Sequence, residues 1–217
     1  MKQVDLTSIF CKALAAVLMA SALASCATAI MGGAVVGGLV AVDRRTPGAQ
    51  LEDETIELKG MMALRENLGD RAHVNLTSYN RRVLLTGEVP NAQDRQLVEK
   101  VTSGLPNVMS ITNELAVMGS SSLTTRSKDT YLTGRVKAGL IDAKDLFATA
   151  FKVTTERGTV YLMGRVTQRE ADRATDIARK VSGVAKVVRV FDYITEDQLK
   201  ALLPAEPKSD AKTSATK

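Results

Sequence analysis

The chain has 217 residues, of which 45% are hydrophobic and 24% charged, and its formal net charge at pH 7 is +5. This length suits one large or two small globular domains. One histidine and two cysteines exclude a disulfide framework, and they exclude a His/Cys zinc cluster unless carboxylates or another chain add ligands. We therefore expect no catalytic residues, no metal and no cofactor, but a protein that binds, anchors or supports other molecules.

The first 25 residues have the pattern of a secretory signal peptide. Basic residues precede an apolar run of 12 residues, 13–24, which is too short to span a bilayer of about 30 Å. The run ends in LASC, residues 23–26, which resembles the lipobox of bacterial lipoproteins, so Cys26 is the predicted lipidation site. The alternative is an ordinary signal peptide with a chance cysteine. Ala27 favours the outer membrane, by resemblance to Gram-negative sorting rules.

Residues 26–50 are predicted to form a lipidated, glycine-rich tether and linker. The apolar residues 26–42 are interpreted either as a short membrane-embedded segment or as a tether near the lipid surface. The tether is favoured because an acylated cysteine makes a second anchor unnecessary. Proline, glycine and charged residues mark residues 43–57 as a linker. Arg44 and Arg45 are expected near the headgroups, where anionic lipid attracts basic residues.

The rest of the chain contains an internal repeat. RRVLLTGEV at residues 81–89 matches GTVYLMGRV at 158–166 with an offset of 77, and SGLPNVMSI at 103–111 matches SGVAKVVRV at 182–190 with an offset of 79. This period is too long for a solenoid unit and indicates two tandem copies of one small domain. The predicted boundaries are residues 51–118 for the first copy, 119–128 for a linker, 129–195 for the second copy and 196–217 for a C-terminal extension, whose tail after Leu203 is expected to be disordered.

Each copy has the pattern helix, strand, strand, helix, strand, which is an α+β arrangement. In the first copy we predict a helix at residues 54–68, strands at 74–77 and 83–86, a helix between Asn91 and Gly104, and a strand at 108–117. In the second copy we predict a helix from Asp129 or Thr130, strands at 151–155 and 159–163, a helix ending at Gly183, and a strand at 187–194. Thr167 and Glu170 have the spacing of a capping box that would begin this last helix.

The two copies resemble the BON domain, and the whole chain resembles the dual BON-domain outer-membrane lipoproteins. The matching segments are the lipobox cysteine, LLTGEV and YLMGRV, and the helix–glycine–strand elements GLPNV and GVAKV, with residues 153–188 the strongest stretch. The resemblance implies two small domains, each with two helices packed on one face of a three-stranded mixed sheet. It also implies phospholipid association, a periplasmic location and a role in outer-membrane integrity. It places the lipid contact in the first helix of the second copy, residues 129–141.

The candidate lipid-binding residues in this helix are Tyr131, Arg135, Val136, Lys137, Leu140 and Ile141. An exposed tyrosine with cations nearby suits a headgroup interface, although domain-to-domain packing is an equal alternative for Tyr131. Leu132, Val136 and Leu140 are expected mainly to face the core, and Val136 and Ile141 are expected to be partly exposed at the helix edge. Tyr131 stands where the resemblance suggests a larger aromatic anchor, which lowers the expected membrane affinity.

The remaining candidates for chemistry have simpler interpretations. His73 is expected to be solvated or to act as a cap, because nothing marks a nucleophile near it. Gly87 and Gly164 are each expected to permit a tight turn between a strand and a helix. The Arg81–Arg82 pair is predicted to lie in a hairpin turn, either solvated or in contact with anionic lipid or a partner. Nucleic acid is not an expected partner, because the chain carries an export signal and few aromatic residues.

Two functions follow from the sequence. The first is a non-catalytic outer-membrane lipoprotein, on the periplasmic face, that binds an anionic phospholipid membrane through its second domain and supports outer-membrane integrity. The alternative is a periplasmic protein-interaction scaffold for outer-membrane assembly machinery or cell-wall enzymes. In the scaffold hypothesis, exposed sheet faces or the Arg81–Arg82 turn form the interface.

Overall fold

The computed structural model describes residues 43–202. Four predicted features lie outside the described residues: the signal peptide, the lipidation site Cys26, the glycine-rich residues 26–42 and the tail after Leu202. Within residues 43–202, no helix is both long and apolar enough to cross a membrane.

The first domain has two helices and one sheet. Its elements are α1 (Pro47–Leu68), β1 (His73–Tyr79), β2 (Arg82–Val89), α2 (Ala92–Ser103), β3 (Ser110–Asn113) and β4 (Ala116–Val117). β1 and β2 pair antiparallel, whereas β3 and β4 both pair parallel to β2. The single third strand predicted at residues 108–117 is therefore interrupted between β3 and β4. Asn91 caps α2 and Gly104 follows it, as predicted.

The second domain repeats this order. Its elements are α3 (Leu123–Asp142), β5 (Phe151–Glu156), β6 (Thr159–Val166), α4 (Gln168–Lys180), β7 (Lys186–Tyr193) and a short α5 (Glu196–Leu202). β5 and β6 are antiparallel and β7 is parallel to β6. The mixed three-stranded sheet and the capping box of Thr167 and Glu170 are confirmed. α5 lies in the predicted C-terminal extension, before the tail that is expected to be disordered.

The first helix of each domain begins earlier than the sequence pattern predicted. The Thr46 side chain accepts a hydrogen bond from the Ala49 amide, and Pro47 occupies the first helical position, which is where proline is best tolerated. Ser122 caps α3 in the same way by accepting from the Thr125 amide. Residues 47–57 and 123–128, which the predicted linkers include, are therefore helical.

Each domain has its own apolar core between its helices and one face of its sheet. The other faces of the two sheets pack against each other around Tyr79 and Leu84 of the first domain and Tyr161 and Met163 of the second. Both central strands are consequently buried on two sides, which explains their consecutive apolar residues. The scaffold hypothesis expects exposed sheet faces to form an interface. That expectation is wrong, because each sheet covers the outer face of the other.

Candidate functional site

The buried side of α3 fixes which of its residues reach solvent. Leu132, Val136 and Leu140 repeat every fourth residue, and each is at most 2% exposed in the core of the second domain. The expectation that Val136 is partly exposed is wrong. Val136 and Leu140 are corrected from lipid-binding candidates to core residues, because neither side chain has a surface to offer a membrane in this structure.

The opposite side of α3 carries the other candidates. Tyr131 is 61% exposed and Ile141 is 70% exposed, and Arg135 and Lys137 are exposed as well. Arg135 Nη1 lies 3.5 Å from Tyr131 Oη, one helical turn away. The alternative of domain-to-domain packing for Tyr131 is wrong, because the interface lies on the sheet side. We call this surface, made of Lys128, Tyr131, Arg135, Lys137 and Ile141, the α3 outer face.

Charge distinguishes the two first helices. α3 contains four basic and two acidic residues, and one of its acidic residues, Asp129, is buried. α1 contains two basic and five acidic residues. The exposed apolar residues of α1 are Leu51, Leu58, Met61 and Met62. Only α3 therefore combines exposed apolar groups with an excess of positive charge, as an anionic surface requires.

A buried aspartate in each first helix holds the adjacent hairpin turn. Asp53 accepts from the Asn80 and Arg81 amides, both at 2.7 Å. Asp129 accepts from the Arg157 amide at 2.7 Å and the Gly158 amide at 2.8 Å. All four turn residues have positive φ, so the side-chain carboxylates stabilise a strained backbone conformation. The sequence pattern had suggested Asp129 only as a helix start.

Arg44 lies in the second domain, although it precedes the first. Its guanidinium forms a bidentate pair with Glu170, at 2.7 and 2.8 Å, and donates to the Arg165 carbonyl oxygen at 3.0 Å. Both charged side chains are 1% exposed. The Arg44 guanidinium also lies 5.7 Å from the centre of the Phe147 ring. Burial would raise the pKa of Glu170, but hydrogen bonds from Arg44 and the Thr167 amide hold this pKa below its ordinary value.

Arg45 is also held by protein groups. It pairs with Asp43 at 2.7 Å and with Asp53 at 2.8 Å, and its guanidinium lies 4.5 Å from the centre of the Tyr79 ring. The expectation that Arg44 and Arg45 lie near lipid headgroups is therefore wrong. The hydrogen-bond partners of Arg44 are 121 and 126 residues away in sequence, so no local pattern could have identified them.

The polar rim of the domain interface uses residues from both hairpins. Arg82 Nη2 pairs with Asp192 Oδ1 at 3.0 Å, and Lys152 Nζ pairs with Glu57 Oε1 at 2.6 Å. Arg81 is exposed, whereas the Arg82 side chain donates a hydrogen bond to Asp192 of the second domain. Of the predicted turn pair, only Arg81 is free to meet lipid or a partner.

One cluster at the interface has the composition of a metal-binding site. Ligand atoms of His73, Glu88 and Glu156 all lie within 4.8 Å of one another. His73 is half-buried and contacts Glu88, so its interpretation as a solvated or capping residue is wrong. Burial, followed by the negative charge of Glu88, raises the pKa of Glu156 above its ordinary value, against smaller lowering effects of His73 and Asn75. No local sequence pattern indicates this cluster, because its members come from three different strands.

Gly87 and Gly164 lie inside β2 and β6 and not in a turn between a strand and a helix. A side chain at either position would collide with a backbone carbonyl, of His73 or Ala150 respectively. Close approach of neighbouring backbones therefore requires these glycines, and the prediction of a turn role is corrected accordingly.

Comparison with known proteins agrees with the two-domain architecture. The BON domain family matches residues 52–119 and 128–195. The chain is 42% identical to Outer membrane lipoprotein DolP of Haemophilus influenzae over 174 residues, covering 79% of this chain and 90% of that protein. It is 33% identical to a 21 kDa hemolysin of Actinobacillus pleuropneumoniae (70% and 80% covered), and 29% identical to Osmotically-inducible protein Y of Escherichia coli (64% and 72% covered). The chain therefore belongs to the BON-domain family and carries two copies of the domain in tandem.

Proposed function

We propose that this chain is an outer-membrane lipoprotein, acylated at Cys26 and facing the periplasm, whose second domain binds anionic phospholipid. In this role it supports outer-membrane integrity without catalysing a reaction. The similarity to a protein named as an outer membrane lipoprotein supports the location. The α3 outer face is the single observation that carries the lipid-binding proposal, because it combines an exposed Tyr131 and Ile141 with the cations Lys128, Arg135 and Lys137.

The test is co-sedimentation of a soluble fragment, residues 41–217, with liposomes of anionic or zwitterionic lipid. The fragment omits Cys26 and most of the apolar stretch, which would bind any bilayer, and it retains Arg44 for its pair with Glu170. We expect selective binding to anionic liposomes. Arg135→Glu removes one cation and adds one anion, which should weaken binding about 30-fold at roughly 1 kcal/mol per charge near an anionic surface.

Matched controls come from α1, which has the same place in the first domain. Arg65→Glu makes the same charge reversal on an exposed residue of α1, and Met62→Ala matches Tyr131→Ala as a truncation of an exposed side chain. Both controls should bind anionic liposomes as the unmodified fragment does. Equal losses from the α1 and α3 variants would contradict the assignment to α3, and failure to bind either liposome would remove the lipid-binding proposal.

A protein-interaction scaffold for outer-membrane assembly machinery or cell-wall enzymes is the second candidate. It is favoured by the exposed apolar residues of α1, since Leu58, Met61 and Met62 border a cavity of about 330 Å³ that extends to Leu68. Exposed methionine-rich surfaces adapt well to protein partners. A photo-crosslinker placed at Met62 should join the chain to such a partner in intact envelopes, whereas the same crosslinker at Tyr131 should not.

A further inference from the structure

The cluster of His73, Glu88 and Glu156 joins the two domains. His73 and Glu88 lie opposite each other in the register of β1 and β2, so their side chains share one face of the first sheet. Glu156 ends β5 of the second domain. His73 Nδ1 lies 3.2 Å from Glu88 Oε2, and all three side chains offer ligand atoms within 4.8 Å of one another.

Glu88 has an unusual environment for a carboxylate. Its side chain is 0% exposed. Oε2 accepts from the Ser121 amide at 3.2 Å, but Oε1 has no hydrogen-bond partner within residues 43–202. The cation next to Oε1 is Arg157, whose Nη1 is 3.9 Å away, too far for a hydrogen bond. A buried charged oxygen without a hydrogen bond is costly, so a ligand that engages it would be stabilising.

The chemistry of these atoms suits a divalent cation. One imidazole nitrogen and two carboxylate oxygens are ligands that Zn²⁺ accepts in proteins, at about 2.0–2.2 Å. Adjacent ligands of a tetrahedral Zn²⁺ at those distances are about 3.3 Å apart, close to the 3.2 Å between His73 and Glu88. The cluster brings two carboxylates together, and the Arg157 guanidinium, 3.9 Å from Glu88, offsets only one of the two negative charges.

Two members of the cluster line a cavity that is open to solvent. This cavity of about 280 Å³ is lined by His73 and Glu156, with Arg126, Asp129 and Thr133 among its other lining residues, and it gives room for an entering ion with a water molecule as a further ligand. Glu88 does not line this cavity and is fully buried. The small number of cysteines and histidines does not oppose a site here, because two of the three protein ligands are carboxylates. We propose that His73, Glu88 and Glu156 bind a divalent transition-metal ion of the Zn²⁺ class, and that the bound ion links the first domain to the second.

The experiment uses the untagged full chain in detergent, with its cysteine thiols alkylated so that they cannot bind metal. ZnCl₂ is titrated in competition with a chromophoric chelator, and the imidazole of His73 is followed by ¹⁵N NMR. Because His73 is the only histidine in the sequence, the assignment is direct. We expect one Zn²⁺ per chain, a shift of the His73 Nδ1 resonance and a Tm that rises with the concentration of Zn²⁺.

Glu156→Gln and His73→Gln remove one ligand each, from opposite domains, and each should weaken Zn²⁺ binding about tenfold or more. Glu66→Gln makes the same chemical change at an exposed position of α1 and should bind as the unmodified chain does. Circular dichroism confirms that each variant is folded before titration. No stoichiometric binding by the unmodified chain would overturn the proposal. Binding that persists unchanged in folded Glu156→Gln would equally overturn it, because the ion would then not link the domains.

Discussion

The third residue of the second helix is a carboxylate in both domains, but its surroundings differ. In the first domain, Asp94 pairs with Arg71 of the same domain at 2.9 Å, and the Arg71 side chain is half exposed. In the second domain, Glu170 pairs with Arg44, which enters from outside the domain, and both side chains are fully buried. In the second copy this position keeps its role in the capping box with Thr167 and also attaches the N-terminal segment, whereas in the first copy it pairs with an arginine of its own domain.

Breaking the buried pair should have the largest effect. Arg44→Met leaves the Glu170 carboxylate buried without its cation, so we expect a loss of about 3–5 kcal/mol in the free energy of unfolding. Urea unfolding of residues 41–217 measures it. Arg71→Met is the matched variant in the first domain and should cause a much smaller loss, because water screens the remaining carboxylate.

A double variant shows whether the lost stability comes from an unpaired buried charge or from lost packing. Arg44→Met combined with Glu170→Leu removes both charges, and most of the lost stability should return, since a buried ion pair can be replaced by apolar groups. If Arg44→Met and Arg71→Met caused equally small losses in the free energy of unfolding, Arg44 would not be buried as described. The contrast between the two domains would then disappear.

The turn-holding aspartates should show the next largest effect. Asp53→Asn and Asp129→Asn each replace an acceptor oxygen by a donor against backbone amides, at an expected cost of about 1–3 kcal/mol. Asp53 also accepts from the Ser78 hydroxyl at 2.7 Å and pairs with Arg45. The loss should therefore be greater for Asp53→Asn than for Asp129→Asn in the same urea experiment. The reverse order would show that the extra partners of Asp53 contribute nothing.

Transfer of the α3 surface to α1 should have a smaller effect, in binding. Glu52 and Thr55 of α1 occupy the places of Lys128 and Tyr131, at an offset of 76 residues. In a fragment whose own α3 carries Arg135→Glu, we expect Glu52→Lys with Thr55→Tyr to restore binding to anionic liposomes about fivefold or more. Thr55→Tyr without a change at Glu52 controls for the aromatic ring alone. No recovery would mean that α3 contributes more than its exposed charges and ring.

Acid should lower the stability of the second domain by protonating Glu170. We expect this effect to be the smallest of those described here. Its pKa is lowered in the folded state, so its stabilising contribution is complete above the ordinary glutamate pKa of about 4.3 and is lost as the pH falls through the lower folded value. The Tm of residues 41–217 should therefore fall on acidification below about pH 5. Glu170→Gln should show a shallower fall. If the Tm of the unmodified fragment and of Glu170→Gln fell equally with pH, Glu170 would be excluded as a source of the acid sensitivity.

Local signals were sufficient for the elements and insufficient for the contacts between them. The repeat, the caps at Asn91 and Thr167, and the stripe of Leu132, Val136 and Leu140 depend on residues close in sequence, and all were predictable. The early starts of α1 and α3 were also readable from Thr46–Pro47 and Ser122. What could not be predicted depends on how two domains pack, because hydrophobic periodicity identifies a buried face without naming its partner.

The candidate site also has features that local sequence predicts and features that depend on how the domains pack. Helical geometry leaves exposure and domain-to-domain packing as equal alternatives for Tyr131, and only the structure shows that it is exposed. The same geometry places Val136 in one stripe with Leu132 and Leu140, and the core buries it completely. The His73 cluster and the contacts of Arg44 depend on tertiary packing, which brings together Glu88 and Glu156 across 68 positions and Arg44 and Glu170 across 126 positions.

The position of Arg44 sets a distance limit on the second domain. With Cys26 acylated as proposed, 17 residues separate the acylated cysteine from Arg44, so even a fully extended chain spans only about 60 Å. Because Arg44 is held inside the second domain, that domain remains within this radius of the bilayer, and its contact with lipid becomes an intramolecular event at an effective concentration in the millimolar range. One tyrosine and a few cations can then be enough, and the number of residues between Cys26 and Arg44 would tune lipid occupancy as directly as the sequence of α3.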